Sequence, residues 1–457
     1  MADLIDRERE LEALESAAAA RGGQLAIVWG RRRVGKTYLL EAFGRRRRSL
    51  YYTATQQSAP VELAAFTDAV REQLGAEGLP SGYAFPDWST ALDVVTERAG
   101  SERLVVVLDE FPYLAGSTPG LESVVQRWWD QRGRRSGVML VLCGSAVAYM
   151  TALAGAAAPL HQRATLSLHV LPLDYRAAGR FVERLKPAER AAMYGICGGT
   201  PLYLEQWDAE SDLRANLVRL FGSPASPLVD AAELVLSGEL PETEGAFRIL
   251  TAVAIGKTRP GEIGDYARVA VERPLKRLTT LGILERRVPA LDDPDKTKRA
   301  IYRIADPYFA FWFRFIGSHR ADIARGLGAQ LVERRILPGL DDYMGPVFED
   351  LAREHARWLA AAGELQADRV EGWWSADGKH EIDLVGLSGR DVSFVGEAKW
   401  SQRAVRRDVL TRLDLHKQAL PAAFLSPLRL LYGRTGCLEE VRNQRGVRCF
   451  SAADLYA

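Results

Sequence analysis

The sequence predicts a multidomain α/β protein whose N-terminal part is built on a parallel sheet. The chain has 457 residues, which at roughly 100 to 200 residues per domain corresponds to several domains. Hydrophobic residues make up 47% of the chain and charged residues 26%, which excludes a mainly disordered protein. Short apolar segments alternate with helical patterns in the first part of the chain, an order typical of a parallel sheet covered by helices.

The overall charge does not identify a partner. Lys and Arg number 60 and Asp and Glu 59, so a surface for nucleic acid has to be local. The four cysteines form no CxxC pair, which suits a reducing cytoplasm better than a zinc ribbon or a disulfide framework. The charged N-terminus lacks the apolar core of a signal peptide and no long uncharged apolar run occurs, so we expect a cytoplasmic protein without a membrane partner.

The first predicted domain, residues 1–172, contains five apolar segments that read as strands. They are residues 24–29, 49–54, 104–108, 138–143 and about 165–171. The helical and polar pattern of residues 173–236 predicts a lid subdomain.

Two further domains are predicted after the lid. Residues 237–320 contain two or three short helices followed by a β-hairpin, which is the layout of a winged helix-turn-helix. The aromatic segment at 307–316 is interpreted as a packing helix. Residues 335–457 contain a helix, three strands, a second helix and further short strands, which predicts a last α/β domain.

The strongest chemical motif lies between the first strand and the helix that follows it. The segment GRRRVGKT matches GxxxxGK[ST], in which backbone N–H groups surround phosphates at a helix N-terminus. Lys36 is predicted to reach the β- and γ-phosphate oxygens, and the Thr37 hydroxyl to ligate Mg²⁺. The predicted phosphate-binding residues are Gly30, Arg31, Arg32, Arg33, Val34, Gly35, Lys36 and Thr37.

Polar side chains follow the third and fourth predicted strands. Asp109 is predicted to hold Mg²⁺, and Glu110 to act as general base on the attacking water, which favours hydrolysis over nucleotide switching. Ser145, at the end of the next strand, is predicted to sense the γ-phosphate; a simple turn residue is the alternative.

The order of P-loop, acidic strand and sensor strand resembles the additional-strand ATPases, and more specifically the AAA-like, archaeal-type ATPases related to the STAND signalling NTPases. The opening IDRERELEAL, the segment DEFPYL and the turn GGTPLYL carry this resemblance, which covers about residues 3–320. It implies ATP as the nucleotide. It also implies that Arg163, in the segment PLHQRAT, contacts the γ-phosphate, although His and Gln stand where family members more often have Tyr-Gly.

The predicted recognition helix of the winged unit has a net basic exposed face. Helical spacing turns Val271, Leu275, Leu278 and Leu281 toward the core and Glu272, Arg273, Lys276 and Arg277 outward. Lys296, Lys298 and Arg299 at the hairpin tip suit a wing that reaches DNA phosphates. The alternative is a winged unit that only contacts the nucleotide domain.

Two strands of the last domain carry a second candidate site. Residues two apart on a strand share a face, so Glu397 and Lys399 point the same way, and hairpin pairing can bring Asp383 beside them. Asp383 and Glu397 are predicted to hold Mg²⁺ or Mn²⁺, and Lys399 to orient a water or stabilise developing charge. Glu349, on the preceding helix, is predicted to approach the same site.

Helix glutamate, aspartate and ExK together resemble the PD-(D/E)xK nuclease superfamily. The region also resembles the C-terminal domain of unknown function that often follows archaeal-type ATPases, over about residues 340–420. The first resemblance implies a metal-dependent nuclease in which Glu349 and Lys399 are catalytic. The alternative is a decayed nuclease fold that serves as a docking module.

The leading hypothesis is a Mg²⁺-dependent ATPase with a DNA-binding winged helix and a nuclease domain, acting in genome defence or DNA processing. Its expected ligands are ATP, Mg²⁺ and DNA. The rival hypothesis is a STAND-like regulatory switch that binds ATP, changes its oligomeric state and recruits a partner through a non-catalytic C-terminal domain. The sequence leaves open whether the chain forms a homo-oligomer.

Overall fold

In the computed structural model, the described chain comprises residues 5–155, 158–240, 243–421 and 424–457. It divides into two compact units, Met1–Leu173 and Asp174–Ala457. Among these described residues, no helix combines the length and the apolar character that crossing a membrane requires.

The first unit contains a five-stranded parallel sheet in the order β2-β3-β4-β1-β5. Its strands match all five predicted segments. They are β1 (Gln24–Trp29), β2 (Ser49–Thr53), β3 (Leu104–Asp109), β4 (Val138–Gly144) and β5 (Leu166–His169). Because β4 lies between β1 and β3, the strand before the P-loop and the strand that leads to Asp109 and Glu110 are not neighbours, which is the order that the resemblance to the additional-strand ATPases predicts.

Helices cover both faces of this sheet. Leu25 and Ile27 of β1 belong to one apolar core, and Ala26 and Val28 belong to the core on the opposite face, as the two-residue period of a strand dictates. The helices are α1 (Glu8–Ala19), α2 (Lys36–Gly44), α3 (Ala59–Leu74), α4 (Trp88–Ala99), α5 (Phe111–Ser117), α6 (Leu121–Gln131) and α7 (Val147–Leu153).

The second unit begins with the helical segment that the sequence predicts. Its helices are α8 (Tyr175–Gly179), α9 (Pro187–Cys197), α10 (Pro201–Leu204), α11 (Leu213–Phe221) and α12 (Pro227–Glu239). Proline occupies the first helical position of α9, α10 and α12, where its missing N–H has no helical partner to lose.

Three helices and an antiparallel hairpin follow, in the predicted order. They are α13 (Glu244–Ala254), α14 (Pro260–Ala267), α15 (Glu272–Thr280), β6 (Leu284–Arg287) and β7 (Ile301–Ile304). The aromatic segment continues as α16 (Pro307–Phe311) and a π-helical turn (Trp312–Ile316). Tyr308 and Trp312 donate hydrogen bonds of 2.7 Å to backbone carbonyls of α12, so this segment packs inside the unit. Two short helices, α17 (Arg320–Ala324) and α18 (Gly328–Leu331), come next.

The last part of the chain is a mixed sheet in the order β12-β11-β10-β9-β8, packed against the long helix α19 (Leu337–Ala361). The pairs β8/β9 and β9/β10 are antiparallel, and β10/β11 and β11/β12 are parallel. The remaining elements are β8 (Arg369–Trp374), β9 (Glu381–Ser388), β10 (Asp391–Lys399), α20 (Arg407–Gln418), β11 (Phe424–Gly433), α21 (Glu439–Arg442) and β12 (Val447–Ser451).

Candidate functional site

The P-loop connects β1 to α2, and two of its glycines have a steric role. Gly35 has φ 94°, a left-handed conformation that side chains disfavour. A Cβ on Gly30 would lie 2.2 Å from the Val170 carbonyl oxygen. The Lys36 ammonium donates to the carbonyls of Gly30 at 2.8 Å and Arg31 at 3.0 Å, so the amine lies within the loop it is predicted to serve.

Buried Arg7 supports the P-loop from outside. It lies directly before α1, and its guanidinium donates to the carbonyls of Val34 at 3.0 Å and Leu171 at 2.8 Å. Another loop arginine, Arg32, donates to the Tyr113 hydroxyl at 2.7 Å. Arg7 belongs to the segment IDRERELEAL, but nothing in the sequence marks it as a buried donor, since its acceptors are backbone oxygens distant along the chain.

Asp109 lies at the carboxyl end of β3 and joins two hydroxyl groups. Its Oδ2 accepts from Thr37 Oγ1 at 2.9 Å and from the Tyr51 hydroxyl at 2.6 Å. A hydroxyl beside a carboxylate is a donor set that suits Mg²⁺, so Thr37 and Asp109 fit the predicted ion. Burial, and then the Asp109 carboxylate, raise the pKa of Tyr51, so the phenol stays protonated and donates.

Sequence reasoning missed Tyr51 because the residue comes from a different strand. Tyr51 lies on β2, which pairs with β3, so its side chain reaches the carboxylate that ends β3. The alternating pattern of β2 places Tyr51 and Tyr52 on opposite faces. The order of strands in the sheet would have been needed to choose between them.

Glu110 and Ser145 meet at the same edge of the sheet. The Ser145 hydroxyl lies 2.9 Å from Oε1 and 2.8 Å from Oε2 of Glu110, and the Ser145 N–H lies 3.3 Å from Oε2. Glu110 has φ 52°, which is uncommon for a residue with a side chain, and its N–H donates to Asp109 Oδ1 at 3.0 Å. The proposed base and the proposed sensor are therefore in direct contact.

Arg163 is engaged elsewhere. Its guanidinium forms a two-pronged contact with Asp130, with Nε and Nη2 at 3.0 and 2.9 Å from the carboxylate oxygens. It also donates to the Pro159 carbonyl at 3.0 Å. Contact with a γ-phosphate would require release of Asp130, so this residue stays a prediction.

The second candidate site brings together three of the predicted side chains. Lys399 Nζ lies 2.6 Å from Glu397 Oε1 and 4.0 Å from Asp383 Oδ2. The Ala398 N–H donates to the same Asp383 oxygen at 2.9 Å. The β9/β10 pairing explains why these side chains lie close together. Leu384, which follows Asp383, is the register partner of Gly396, which precedes Glu397.

Glu349 shares the electrostatic environment of this site. Burial, and then the Asp383 carboxylate, raise the pKa of Glu349 to about 8. Burial and Glu397 likewise raise the pKa of Asp383. The pKa of Lys399 is raised because Asp383 and Glu397 outweigh the opposing effect of burial. Ionisation of these largely buried carboxyl groups is therefore unfavourable in the absence of a cation, and a bound cation would stabilise their ionised forms.

The metal ligands offered by this site are few. Across the described ranges, no three or more His, Cys, Asp and Glu side chains are grouped so as to hold a metal ion. Mg²⁺ is often bound in proteins through one or two carboxylates and several waters, so Asp383 and Glu397 still meet its minimum requirement.

The basic surface of the three-helix and hairpin segment agrees only partly with expectation. On α15, Leu275 and Leu278 are buried, and Arg273 and Lys276 are exposed, as predicted. The expectation for Arg299 is corrected: its guanidinium pairs with Asp292 and donates to the Trp374 carbonyl, so it does not project from the hairpin tip.

Comparison with known protein families identifies the N-terminal part of the chain. Residues 4–207 match a family described as an ATPase domain predominantly from Archaea. The chain thus carries an ATPase domain of archaeal type. Residues 312–410 match a family of archaeal and bacterial proteins of unknown function, which gives the C-terminal part a relationship but no activity. The predicted ATPase domain is confirmed; the winged helix and the nuclease stay predictions.

Individual similar proteins do not extend this assignment. An uncharacterized protein of Methanocaldococcus jannaschii is 27% identical over 428 residues, which is 91% of each chain. The Walker-type ATPase paby2304 of Pyrococcus abyssi is 20% identical, with a TM-score of 0.48 over 68% of this chain and 96% of that one. The ORC2 protein of Aeropyrum pernix is 16% identical, with a TM-score of 0.43 over 70% of this chain and 94% of that one.

Proposed function

We propose that the protein is a Mg²⁺-dependent ATPase whose nucleotide state controls a metal-dependent DNA nuclease site in its C-terminal domain. The observation that carries the nuclease part is the Lys399 ammonium 2.6 Å from Glu397 and 4.0 Å from Asp383 on the neighbouring strand. Two carboxylates and an adjacent lysine are the groups that phosphodiester hydrolysis with a metal ion needs.

In the ATPase domain, each part of the chemistry has its own residue. Lys36 would neutralise the β- and γ-phosphates, and Thr37 and Asp109 would hold a Mg²⁺ ion that supplies further positive charge to them. Glu110 takes the proton from the attacking water. Support comes from the hydrogen bond of 2.9 Å between Thr37 and Asp109 and from the position of Glu110 directly after this metal ligand.

In the C-terminal domain, Asp383 and Glu397 are the proposed ligands of one Mg²⁺ or Mn²⁺ ion. A bound ion supplies charge for the phosphoryl oxygens and lowers the pKa of a coordinated water. Lys399 orients that water or stabilises the developing charge. Glu349 adds a third carboxyl group from α19, and the raised pKa values of Glu349 and Asp383 indicate that a bound cation would stabilise their ionised forms.

A recruitment switch is the second candidate, and one observation favours it. Lys399 is close to both carboxylates, so the site is partly neutralised by its own lysine, and no larger ligand group is found among the described residues. In this case, the C-terminal domain would dock a partner without catalysis.

DNA cleavage with the full chain separates the two candidates. Plasmid and linear DNA are incubated with Mg²⁺ or Mn²⁺, with ATP, ADP or no nucleotide. We expect wild type to cleave, Asp383→Ala to lose cleavage, and Lys36→Ala to lose the response to nucleotide while the metal site stays intact. Asp377→Ala is the matched control, because Asp377 lies in the exposed turn before β9 and pairs only with neighbouring residues. Absence of cleavage in wild type under every condition would leave the recruitment switch as the better account.

A further inference from the structure

The β6/β7 hairpin is fastened to the C-terminal domain at both ends of its connecting loop. At one end, the Ala290 N–H donates to the Gly372 carbonyl at 2.9 Å. At the other end, Arg299 donates to the Trp374 carbonyl at 2.8 Å, and the Trp374 indole donates back to the Arg299 carbonyl at 3.1 Å. Gly372 and Trp374 belong to β8, so the hairpin lies along the edge of the sheet that carries Asp383.

The hairpin strands also contact the helix that carries Glu349. Arg287 of β6 donates to Asp350 Oδ1 at 2.7 Å and pairs with Glu285 beside it. Arg303 of β7 lies 3.8 Å from Glu349 Oε2 and 3.9 Å from Asp350 Oδ1. The hairpin therefore places a cation next to the proposed nuclease site.

A cleft of about 630 Å³ opens between the hairpin and the C-terminal domain. The hairpin contributes Arg286 and Arg303 to its lining together with Glu285 and Asp292, and the C-terminal domain contributes Glu349 and Asp383 together with Arg353. Pockets of about 300 to 1,000 Å³ hold small molecules, so this cleft has the volume of a nucleotide or two, which is less than a double helix occupies.

Arg303 and Arg287 differ in the hydrogen bonds that their guanidinium groups donate. Arg287 is fixed by ion pairs of hydrogen-bonding length with Asp350 and Glu285. Both carboxylate contacts of Arg303 exceed hydrogen-bond length, and its guanidinium donates no hydrogen bond within the part of the chain that the structure describes. A guanidinium has five N–H donors in a planar fork that matches phosphate oxygens. Arg303 is 25% exposed, so these donors are accessible from the cleft.

We propose that the hairpin is the second wall of the C-terminal site and that Arg303 binds a phosphodiester of single-stranded nucleic acid there. The ligand class follows from the cleft volume, which matches a nucleotide or two of one strand, and from the attachment of the hairpin to β8, which makes it a wall of the cleft. The cleavage of that strand rests on the proposed function, whereas its binding does not. This assignment differs from a free wing, in which exposed Lys298 at the hairpin tip would contact duplex phosphates.

Fluorescence anisotropy with the full chain tests the proposal. A short labelled oligothymidylate, its duplex and an RNA of equal length are titrated at fixed ionic strength in Ca²⁺, which occupies oxygen sites. We expect the single strands to bind more tightly than the duplex. Arg303→Gln should weaken single-strand binding by about tenfold or more, because a charged hydrogen bond is lost. Lys298→Gln is the matched control and should bind as wild type does.

Removal of Arg303 takes away the cation that lies beside the largely buried Glu349, so folding has to be monitored. Melting curves identify an unfolded variant, and Arg303→Lys, which retains the charge but not the fork, should give an intermediate loss. Wild-type affinity in Arg303→Gln, a loss confined to Lys298→Gln, or tighter binding of the duplex would overturn the proposal. Binding of a single strand that depends on Arg303 but is not followed by cleavage would support the role of Arg303. It would contradict only the proposed nuclease function.

Discussion

The Ser145 hydroxyl lies within 2.9 Å of both carboxylate oxygens of Glu110, so the proposed sensor of the γ-phosphate holds the proposed general base. The contact joins the ends of β3 and β4, which are neighbours in the sheet. An arriving γ-phosphate would compete for the same hydroxyl. With these two proposed roles, ATP binding would be coupled to release of the base through Ser145.

Replacement of Ser145 by alanine tests this coupling. We expect Ser145→Ala to bind ATP and to lower kcat by about ten- to a hundredfold, the range for one hydrogen bond to a charged group. Steady-state ATPase assays measure the effect. Ser136→Ala is the control, because Ser136 lies before the opposite end of β4, where its hydroxyl bonds to the Gly133 carbonyl and to the Val138 N–H. A fall of similar size in Ser136→Ala would attribute the loss to the strand rather than to the sensor.

Tyr51 is predicted to position the metal ligand Asp109. Tyr51→Phe removes the donor that lies 2.6 Å from Asp109 Oδ2, so the Mg²⁺ concentration for half-maximal ATPase activity should rise about 10- to 100-fold. Tyr52→Phe is a close control, because the adjacent phenol also donates at 2.6 Å to a carboxylate, that of Glu62, on the other face of the strand. An equal Mg²⁺ requirement in both variants would remove Tyr51 from this role.

The exposed face of α15 predicts a salt-dependent interaction with DNA. If Lys276 contacts a phosphate, Lys276→Ala should weaken binding to all sequences alike and reduce the slope of log affinity against log salt by about one. Salt titrations with a labelled duplex measure both quantities. Glu272→Gln, on the same exposed face, should bind at least as tightly as wild type. Unchanged affinity and slope in Lys276→Ala would favour an intramolecular role for these helices.

Substitutions of Asp383 and Lys399 should have different effects on metal binding and on DNA cleavage. Asp383→Ala removes a proposed metal ligand, so calorimetry with Mn²⁺ should lose the C-terminal binding heat and cleavage should stop. Lys399→Ala should retain the metal and lose cleavage by roughly 10² to 10⁴, the range for one positioned catalytic group. ATP binding should survive in both variants. Loss of metal binding in Lys399→Ala as well would indicate that the lysine maintains the site rather than acts in it.

Much of the fold could be predicted because buried strands and helices have recognisable patterns of apolar residues. Strands β1, β3 and β4 are covered on both faces and are continuous apolar segments, and the P-loop spacing fixes the turn after β1. The meeting of Asp383 with Lys399 could also be predicted, since it needs only one hairpin. Contacts that depend on packing could not. Arg163 pairs with an aspartate 33 residues earlier, which no local pattern encodes.

The hairpin arginines show the same limit. Charge and position predict Arg299 equally well as a wing residue or as a buried anchor, and only the packing of the hairpin on β8 decides between them. No sequence pattern indicated a role for Arg303, because its partners Glu349 and Asp350 come from a helix that is distant in sequence.

The most direct test of the account is the rate of ATP hydrolysis by Glu110→Gln, measured together with its affinity for ATP. The substitution removes the proposed base and keeps the size of the side chain and its contact with Ser145. We predict wild-type affinity and a kcat lower by roughly 10² to 10⁴, whereas Lys36→Ala should lose binding itself because the phosphates lose their cation. Equal hydrolysis rates in wild type and Glu110→Gln would contradict the assignment of Glu110 as the base.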